Sequence, residues 1–372
     1  CQKNLKYKEL NMYFGLSEEQ SFFKDNIKKY LEDNASLDTI RHIANGDEKN
    51  LGKEIHHGFL NLGVNGLLIP EEFGGLGLDL LFAAVVSESL GSNTGPIPFI
   101  APYVMAPTAI LAAGSQEQKE RYLTQITSNE IMFGVGFSEF AGRRNDAGLS
   151  FIDGSLIGRA MFVLDAQTAT HLLLAAQLGQ IFVVDAKSPN VEVIHLTTVD
   201  KTRQYAEVIC NSASADLLEN SCSSTDHIIK AIDAGRIMLA ADTLGASQTM
   251  IDKAVDYSKE RKQFGRVIGS FQAVKHMCAE MVADLEPCYA LVWHAAHCHD
   301  HSPDEARLMA CHAKAHVSEM GKGIAKKATE VHGGMGFTDL LGLHYWFKRI
   351  GVNRQILGSP ELIREEALKW QL

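Results

Sequence analysis

The sequence lacks a long uncharged hydrophobic run, a close cysteine pair and an excess of basic residues. No run of about 18 uncharged apolar residues occurs, so no transmembrane helix is predicted. The N-terminal stretch has neither an apolar core nor a small-residue cleavage site, so secretion is not indicated. With 45 acidic and 35 basic residues, the formal net charge is −10, which argues against a broad nucleic-acid-binding surface.

The seven cysteines are scattered and none belongs to a CxxC motif. An odd number without such spacing fits a reduced, cytoplasmic chain better than a disulfide framework. Hydrophobic residues make up 46% and charged residues 22% of the 372-residue chain, which is typical of a globular protein with a sizeable core. At about 150 residues per domain, this length predicts two to three domains.

The chain is predicted to be helical, then rich in strands, then helical again. Ser17 and Gln20 form a capping-box pattern ahead of apolar residues at helical spacing. From about Ile131, short β-rich runs are separated by polar turns, a pattern typical of a small barrel or sandwich. After Asp226 the apolar periodicity becomes helical again. We therefore predict an N-terminal helical domain over 12–130, a β domain over 131–225 and a C-terminal helical domain over 226–372.

The segment HAAHCHDH, residues 294–301, is rich in potential metal ligands. His294, His297, Cys298 and His301 share roughly one helical face, an arrangement that suits a transition metal. The alternative is a polar helix end whose histidines offset the C-terminal dipole, ahead of a cap formed by Ser302 with proline at N1 and Glu305 at N3. The second interpretation is favoured, and no metal site is predicted.

Two glycine turns suggest ligand contacts in the C-terminal third. In ERKQFGRVIGSFQAVKHMCAEM, Arg261 at a helix end is placed to meet a phosphate, and Phe264 to pack on a flat ring. In EVHGGMGF, the glycines leave backbone amides free to approach a pyrophosphate. Each turn alone is also compatible with an ordinary connection between helices.

Taken together and in this order, these stretches resemble the acyl-CoA dehydrogenase family over essentially the whole chain. The resemblance extends to LSEEQSFFKDNIKKYLED, LGVNGLLIPEEFGGLG and VHGGMGFTD. It implies an α+β multidomain fold, with an N-terminal helical domain, a middle β-barrel and a C-terminal four-helix bundle. It also implies a tetrameric flavoprotein oxidoreductase of lipid metabolism that binds FAD and an acyl-CoA thioester.

The resemblance assigns cofactor contacts to four segments. Phe137 and Ser138 of GFSE, and Phe162 and Leu164 of MFVLDA, match the strands beside the flavin ring. A second group matches the segment that reaches the FAD of a neighbouring subunit: Arg261, Gln263, Phe264, Phe271 and Gln272. The remaining matches are the pyrophosphate loop and the loop after the catalytic position, which comprise Glu330, Gly333, Gly334, Gly358, Ser359 and Glu361.

The chain departs from the family pattern at the catalytic base, a glutamate that removes the α-proton of the thioester. The aligned position holds Leu357. Some relatives place the base on the first C-terminal helix, immediately before an arginine. That arginine is Arg236, for which the resemblance implies substrate contact, and the preceding residue is Gly235. Asp233 is not expected to replace the base, because two residues rotate a helix by about 200°. Glu361 is expected to complement a helix dipole instead.

Other signature positions are also changed. In SEFAGRRND, the Gly-Ser pair that seats substrate in the family is replaced by Arg143, Arg144 and Asn145. The glutamine of the pyrophosphate loop is Glu330, and a carboxylate beside a phosphate is unfavourable unless it is paired. The acidic residue expected shortly after GFT is also replaced, because Leu340 occupies its position.

Three functions fit these changes. The first is an acyl-CoA dehydrogenase subunit that works with a partner subunit supplying the base, in a homo- or heterotetrameric assembly. The second is a flavin monooxygenase or oxidase of the same fold. The third is a catalytically silent protein that binds CoA esters. The remaining alternative is a conventional dehydrogenase with an unrecognised base.

Overall fold

The computed structural model of the protein describes residues 15–46, 51–141, 148–176 and 178–371. The element order is helical, then mainly β, then helical, as the sequence predicts. Within the described residues, no helix combines the length and the apolar composition that a membrane crossing requires.

The N-terminal region is built from helices that bury one apolar face each. The predicted capping box is present, since the Ser17 hydroxyl accepts from the Gln20 N–H and the Gln20 side chain accepts from the Ser17 N–H. An equivalent box at Ser115 and Gln118 starts the last helix of the region. The helices are α1 (Glu18–Asn34), α2 (Leu37–Asn45), α3 (Leu51–Leu60), α4 (Leu80–Asn93), α5 (Ala106–Ala113) and α6 (Gln116–Thr127).

The middle region forms one eight-stranded sheet. The strands lie in the order β6-β7-β3-β1-β4-β5-β8, with β2 paired to β3, and only β1 and β4 run parallel. A short helix, α7, follows β1. The elements are β1 (Phe133–Gly136), α7 (Ser138–Ala141), β2 (Gly148–Ile152), β3 (Ser155–Leu164), β4 (His171–Ala175), β5 (Ile181–Asp185), β6 (Val191–Leu196), β7 (Tyr205–Ala213) and β8 (Asp216–Leu217).

The predicted fold class is confirmed, but the β domain is an open sheet rather than a barrel, because β6 and β8 end the sheet without pairing to each other among the described residues. Strand β8 is only two residues long, and β6 has no fully buried residue. A short strand and a half-exposed strand are typical of sheet edges, whereas a barrel requires its first and last strands to pair.

The two faces of the sheet pack into different cores. Because side chains alternate along a strand, Leu173 joins the core shared with the helices, while Leu172 and Leu174 join a second core formed mainly by the sheet itself. The sheet therefore has one face against the helices that surround the candidate site.

The C-terminal region is the predicted helical bundle with one additional helix. Three long helices and α11 pack together, and α12 packs on α10. A two-stranded hairpin separates the first two long helices. The elements are α8 (Asp226–Glu260), β9 (Lys262–Gln263), β10 (Arg266–Val267), α9 (Gln272–His301), α10 (Pro303–His332), α11 (Leu343–Gln355) and α12 (Pro360–Gln371).

Helices α4 and α8 cross in backbone contact. A Cβ at Gly91 would lie 1.9 Å from the carbonyl oxygen of Asp242, and a Cβ at Gly245 would lie 1.8 Å from that of Glu88. Only glycine permits such an approach. The crossing joins the N-terminal helices directly to the central helix of the C-terminal region.

A buried polar cluster joins all three regions. The guanidinium of Arg349 on α11 donates to Asp200 over 2.9 Å and to Asp242 on α8 over 3.1 Å. It also donates to the backbone carbonyls of Thr94 and Gly95. Burial alone would raise the pKa of Asp242, but the nearby arginines outweigh it and hold that pKa below its usual value.

Candidate functional site

The two positions that the sequence singles out for the catalytic base lie against each other. A Cβ at Gly235 on α8 would be 2.6 Å from Cδ1 of Leu357 and 2.7 Å from Sδ of Met105. Leu357 is buried, with 2% of its surface exposed. The side chains of Leu357 and Met105 therefore occupy the space where the two positions meet. Neither position carries an ionisable group.

The turn that carries Leu357 is held by hydrogen bonds to its backbone. Leu357 has φ 57° and Gly358 has φ 107°, so the chain reverses through left-handed geometry between α11 and α12. Arg236 Nε donates to the carbonyl of Leu357 over 2.9 Å. The amine of Lys314 on α10 contacts the carbonyls of Arg354 and Gly358 at 3.2 and 3.4 Å. Burial, with Arg236 and Arg354 nearby, lowers the pKa of Lys314 well below its usual value.

Two carboxylates lie behind this turn, and both are paired. Asp233 contacts Arg307 and Arg236, and Glu366 on α12 accepts from Arg236 over 2.9 Å and pairs with Arg307. Burial raises the pKa of Asp233 to about 6, against the opposing effect of the two guanidinium groups. Both carboxylates are therefore engaged by arginines.

Arg236 itself is fully buried, and its described contacts are with protein groups. The substrate contact implied for Arg236 stays a prediction. No local pattern in the sequence indicates that Glu366 and Arg307 are neighbours of Arg236. Only the tertiary packing of α12 and α10 against α8 brings them together.

Ser359 and Glu361 lie on the outer side of the same turn. The carbonyl of Ser359 accepts a hydrogen bond from the Ile363 N–H in the first turn of α12. The exposed Glu361 carboxylate pairs with Arg354 at 2.6 Å. Hydrogen bonds from its own backbone N–H and from Ser359, together with Arg354, lower the pKa of Glu361 to about 2. This is the first-turn carboxylate that the sequence predicts.

The residues predicted to lie beside the flavin ring are brought together by the sheet. Val135 of β1 is paired with Leu164 of β3, and the Ser138 hydroxyl donates to the carbonyl of Phe162 over 3.1 Å. Phe162 lies at a bulge in β3 with φ 52°, whereas Phe137 is fully buried. The bulge turns the backbone of β3 towards α7.

This group borders the Leu357 turn. A Cβ at Gly358 would lie 3.1 Å from the carbonyl of Ala141, the last residue of α7. The predictions for Arg143, Arg144 and Asn145 concern residues 142–147, which lie outside the described residues.

The hairpin residues are exposed at the far end of α8. Phe264, at the tip, is 90% exposed with φ 52°, and its ring makes an edge contact with Phe271 at 6.2 Å between centroids. The guanidinium of Arg266 lies over the Phe271 ring at 4.0 Å. Three further exposed residues add polar groups to this surface: Arg261, Gln263 and Gln272.

The glycine loop lies at the same end of the bundle. Tyr257 near the end of α8 stacks on His332 at the end of α10, with 4.6 Å between ring centroids. Immediately after His332, Gly333 has φ 58° and donates to the carbonyl of Glu330. Both Gly333 and Gly334 are exposed, with no heavy atom within 4 Å of their Cβ positions. Glu330 is also exposed, so its carboxylate borders an open backbone loop.

The predicted cofactor residues thus form two separate clusters. We call the first the turn cluster; it contains Phe137, Ser138, Phe162, Leu164, Gly358 and Ser359. The second, the hairpin cluster, contains Arg261, Gln263, Phe264, Phe271, Gln272, Glu330, Gly333 and Gly334. Helix α8 is continuous from Asp226 to Glu260, so Gly235 and the hairpin are separated by about 40 Å at 1.5 Å per residue.

Comparison with known proteins gives two family matches and near full-length relatives. Residues 17–130 match the family model "Acyl-CoA dehydrogenase, N-terminal domain", and residues 225–372 match "Acyl-CoA dehydrogenase, C-terminal domain". The acyl-CoA dehydrogenase IpdE2 of Mycolicibacterium smegmatis is 29% identical over 95% of this chain and 99% of its own length.

Two further similar proteins belong to complexes. The caffeyl-CoA reductase-Etf complex subunit CarC of Acetobacterium woodii is 27% identical over 88% of this chain and 90% of its own length. A chain of the ChsE4-ChsE5 complex from Mycobacterium tuberculosis has a TM-score of 0.87 at 21% identity, covering 97% of this chain and 99% of that chain. At this identity, the second likeness concerns the fold.

Proposed function

Because the chain belongs to the acyl-CoA dehydrogenase family, we propose that it is an FAD-binding subunit for the α,β-dehydrogenation of an acyl-CoA thioester. We further propose that it lacks its own catalytic base and acts with a different, glutamate-bearing subunit. The contact between Leu357 and the Cβ position of Gly235 carries this proposal, because hydrocarbon occupies both places where the resemblance puts a base.

The reaction needs a carboxylate within hydrogen-bond reach of the α-proton. FAD, when bound, accepts the β-hydrogen as a hydride. Among the described residues, Asp233, Glu366 and Glu361 are the carboxylates near the Leu357 turn, and each is ion-paired with an arginine. Removing a proton through Asp233 would break its buried pair with Arg307, which is energetically costly.

The residues of the hairpin cluster fit a dinucleotide. Arg261 and the amides of Gln263 and Gln272 are exposed donors, and Phe264 presents an exposed ring. The backbone at Gly333 and Gly334 leaves room for a phosphate. Glu330 is the exception, because its carboxylate would face that phosphate, so the fit is stronger at the hairpin than at the loop.

The distance between the clusters favours an assembly of subunits. Gly235, whose Cβ position lies against Leu357, is about 40 Å along α8 from the hairpin, a separation that favours two cofactor molecules over a single one shared by both clusters. In the proposed heteromer, the hairpin cluster completes the FAD site of the glutamate-bearing partner. Similar proteins that occur in complexes, such as CarC, support this arrangement.

The test is to purify the chain alone and together with a glutamate-bearing homologue from the same genome. Native mass and flavin absorbance then give the composition and the flavin content of each species. Anaerobic addition of a panel of acyl-CoA thioesters is expected to bleach the flavin of the mixed complex and leave that of the single chain unchanged. A stable FAD-loaded homotetramer that bleaches by itself overturns the proposal.

The same measurements separate the two alternative functions. Oxygen-dependent reoxidation of reduced flavin without any CoA ester identifies an oxidase or monooxygenase. A colourless protein that retains affinity for CoA esters identifies a catalytically silent binding protein. Either result contradicts the proposed division of labour between two subunits.

A further inference from the structure

The corner between α9 and α10 brings Glu305, which the sequence predicts at the start of α10, next to the ligand-rich end of α9. Helix α9 ends at His301 and α10 begins at Pro303, so Ser302 alone connects them. The predicted side-chain cap at Ser302 is wrong, because its side chain makes no capping hydrogen bond to the start of α10. Glu305 instead contacts Cys298 on the last turn of α9.

Three ligand types meet at this corner. Sγ of Cys298 lies 3.5 Å from Nε2 of His294 and 3.9 Å from Oε2 of Glu305. The ligand atoms of all three residues lie within 4.8 Å of one another. His294 and Cys298 are one helical turn apart on α9, so the helix holds two ligands on one face while α10 supplies the third.

These separations match a first-row metal centre. With bonds of about 2.3 Å to sulfur and about 2.0–2.2 Å to nitrogen or oxygen, tetrahedral angles place the ligand atoms about 3.5 Å apart. The observed 3.5 and 3.9 Å from Sγ lie within a few tenths of an ångström of this value. The ligand atoms of His294 and Glu305, which lie within 4.8 Å of each other, would have to approach by up to about 1.3 Å on binding. The thiol is buried whereas the imidazole and the carboxylate are exposed, so an ion has access from solvent.

We propose that His294, Cys298 and Glu305 form a binding site for a first-row transition cation such as Zn²⁺, with solvent in the fourth position. Thiolate and imidazole select such cations over Mg²⁺ and Ca²⁺, which prefer oxygen ligands. On binding, the sulfur–metal bond replaces the S–H bond and the proton leaves to solvent. The thiolate and the carboxylate together balance the dipositive charge.

The other histidines of this segment do not belong to the site. His297 and His301 form their own pair, with 4.7 Å between ring centroids. The ring of His299 contacts the carbonyl of Lys230 at 3.2 Å, and Asp300 accepts from the backbone of Leu80 over 2.6 Å. The corner is thereby tied to α8 and α4, and a bound cation would brace α9 against α10 at that point.

The experiment uses the full chain after removal of any affinity tag and of metals by a chelator, with Co²⁺ as the probe. We expect one Co²⁺ per chain, with the visible bands of a tetrahedral site and a near-ultraviolet thiolate-to-cobalt charge-transfer band, both displaced by Zn²⁺. Cys298→Ser should abolish the charge-transfer band. His294→Ala and Glu305→Gln should weaken the affinity by about tenfold or more.

Matched controls are His297→Ala, a neighbouring exposed histidine, and Cys278→Ser, a partly exposed cysteine on the same helix. Both should leave binding unchanged. Because Cys298 is buried, the exposed Glu305→Gln provides a second readout: at one Zn²⁺ concentration, the metal should raise the Tm of the unaltered chain by more than that of the variant. Absence of the charge-transfer band in the unaltered chain, or its survival in Cys298→Ser, overturns the proposal.

Discussion

The Nε atom of Arg236 donates a hydrogen bond to the backbone carbonyl of Leu357 over 2.9 Å. The bond links the middle of the central bundle helix to the turn before the last helix. It fixes the backbone of the turn and makes no use of the Leu357 side chain. The side chain can therefore be exchanged while the main contact that positions the turn remains.

Leu357→Glu is expected to give this chain dehydrogenase activity of its own. The substitution puts a carboxylate where the resemblance places the base, and a general base contributes about 10²-fold or more to such a step. The measurement is anaerobic bleaching of the flavin-loaded variant by acyl-CoA thioesters, compared with Leu357→Gln, which has the same shape without the charge. Equal rates in the two variants would show that the missing base is not what silences the chain.

Removing the guanidinium of Arg349 is expected to destabilise the whole fold. Arg349→Met leaves Asp200 without the arginine of its ion pair and Asp242 with one arginine fewer, and breaking a buried pair costs about 3–5 kcal/mol. Urea unfolding followed by circular dichroism measures the change. Arg364→Ala, an exposed arginine on α12, is the control and should change stability little. A loss no larger than that of the control would contradict a joining role for Arg349.

Phe264→Ala is expected to weaken association with the partner subunit and leave the fold of the chain unchanged. The ring is 90% exposed, so truncation removes no core contact, whereas a buried interface aromatic is worth about 2 kcal/mol or more. Analytical ultracentrifugation of the mixed complex, together with its flavin content, measures the effect. Phe22→Ala, another exposed phenylalanine at 70%, serves as the control. Unchanged assembly in the Phe264 variant would exclude the hairpin from the interface.

The imidazole of His56 is expected to make the fold sensitive to acid. Burial, with a smaller effect of His57, lowers the pKa of His56 from 6.5 to about 4, and its Nε2 lies 2.9 Å from the Tyr103 hydroxyl. The unfolded chain therefore takes up this proton first as the pH falls. The stabilisation is complete above pH 6.5 and is lost as the pH falls through about 4.

The test of this pH dependence compares the Tm of His56→Gln with that of the unaltered chain across the same range. The variant should lose less stability on acidification, because its side chain binds no proton. His57→Gln, at the exposed neighbouring position, should retain the original slope. Parallel curves for the His56 variant and the unaltered chain would assign the acid sensitivity to other groups.

Local patterns in the sequence predicted much of the architecture. Some features depend only on neighbouring residues and can be predicted without a structure. They include the capping box at Ser17 and the change from helical to strand periodicity near Ile131. The edges of the sheet could not be predicted in this way. Whether β6 meets β8 depends on curvature accumulated over the whole sheet. The sheet is therefore open where the sequence suggested a barrel or a sandwich.

The candidate site shows the same division between local and distant contacts. The identity of Leu357 was apparent from the turn around it, but its contact with Gly235 joins positions far apart in the chain. The pairing of Glu366 with Arg236, and the direction of Glu305 towards Cys298, depend on how helices pack. No spacing rule predicts such contacts, because they are set by the angle between elements rather than by the sequence near either residue.

Because α8 is one uninterrupted helix, its two ends lie far apart and can change independently as the gene for this chain diverges. If each end of the helix serves a different flavin, substitutions at the two ends are exposed to separate selection. The end at Gly235 can lose acidic groups as long as the partner keeps its own. In the proposed heteromer, the end at the hairpin would have to match a surface that another gene encodes, so changes there are expected to appear in pairs, one in each gene.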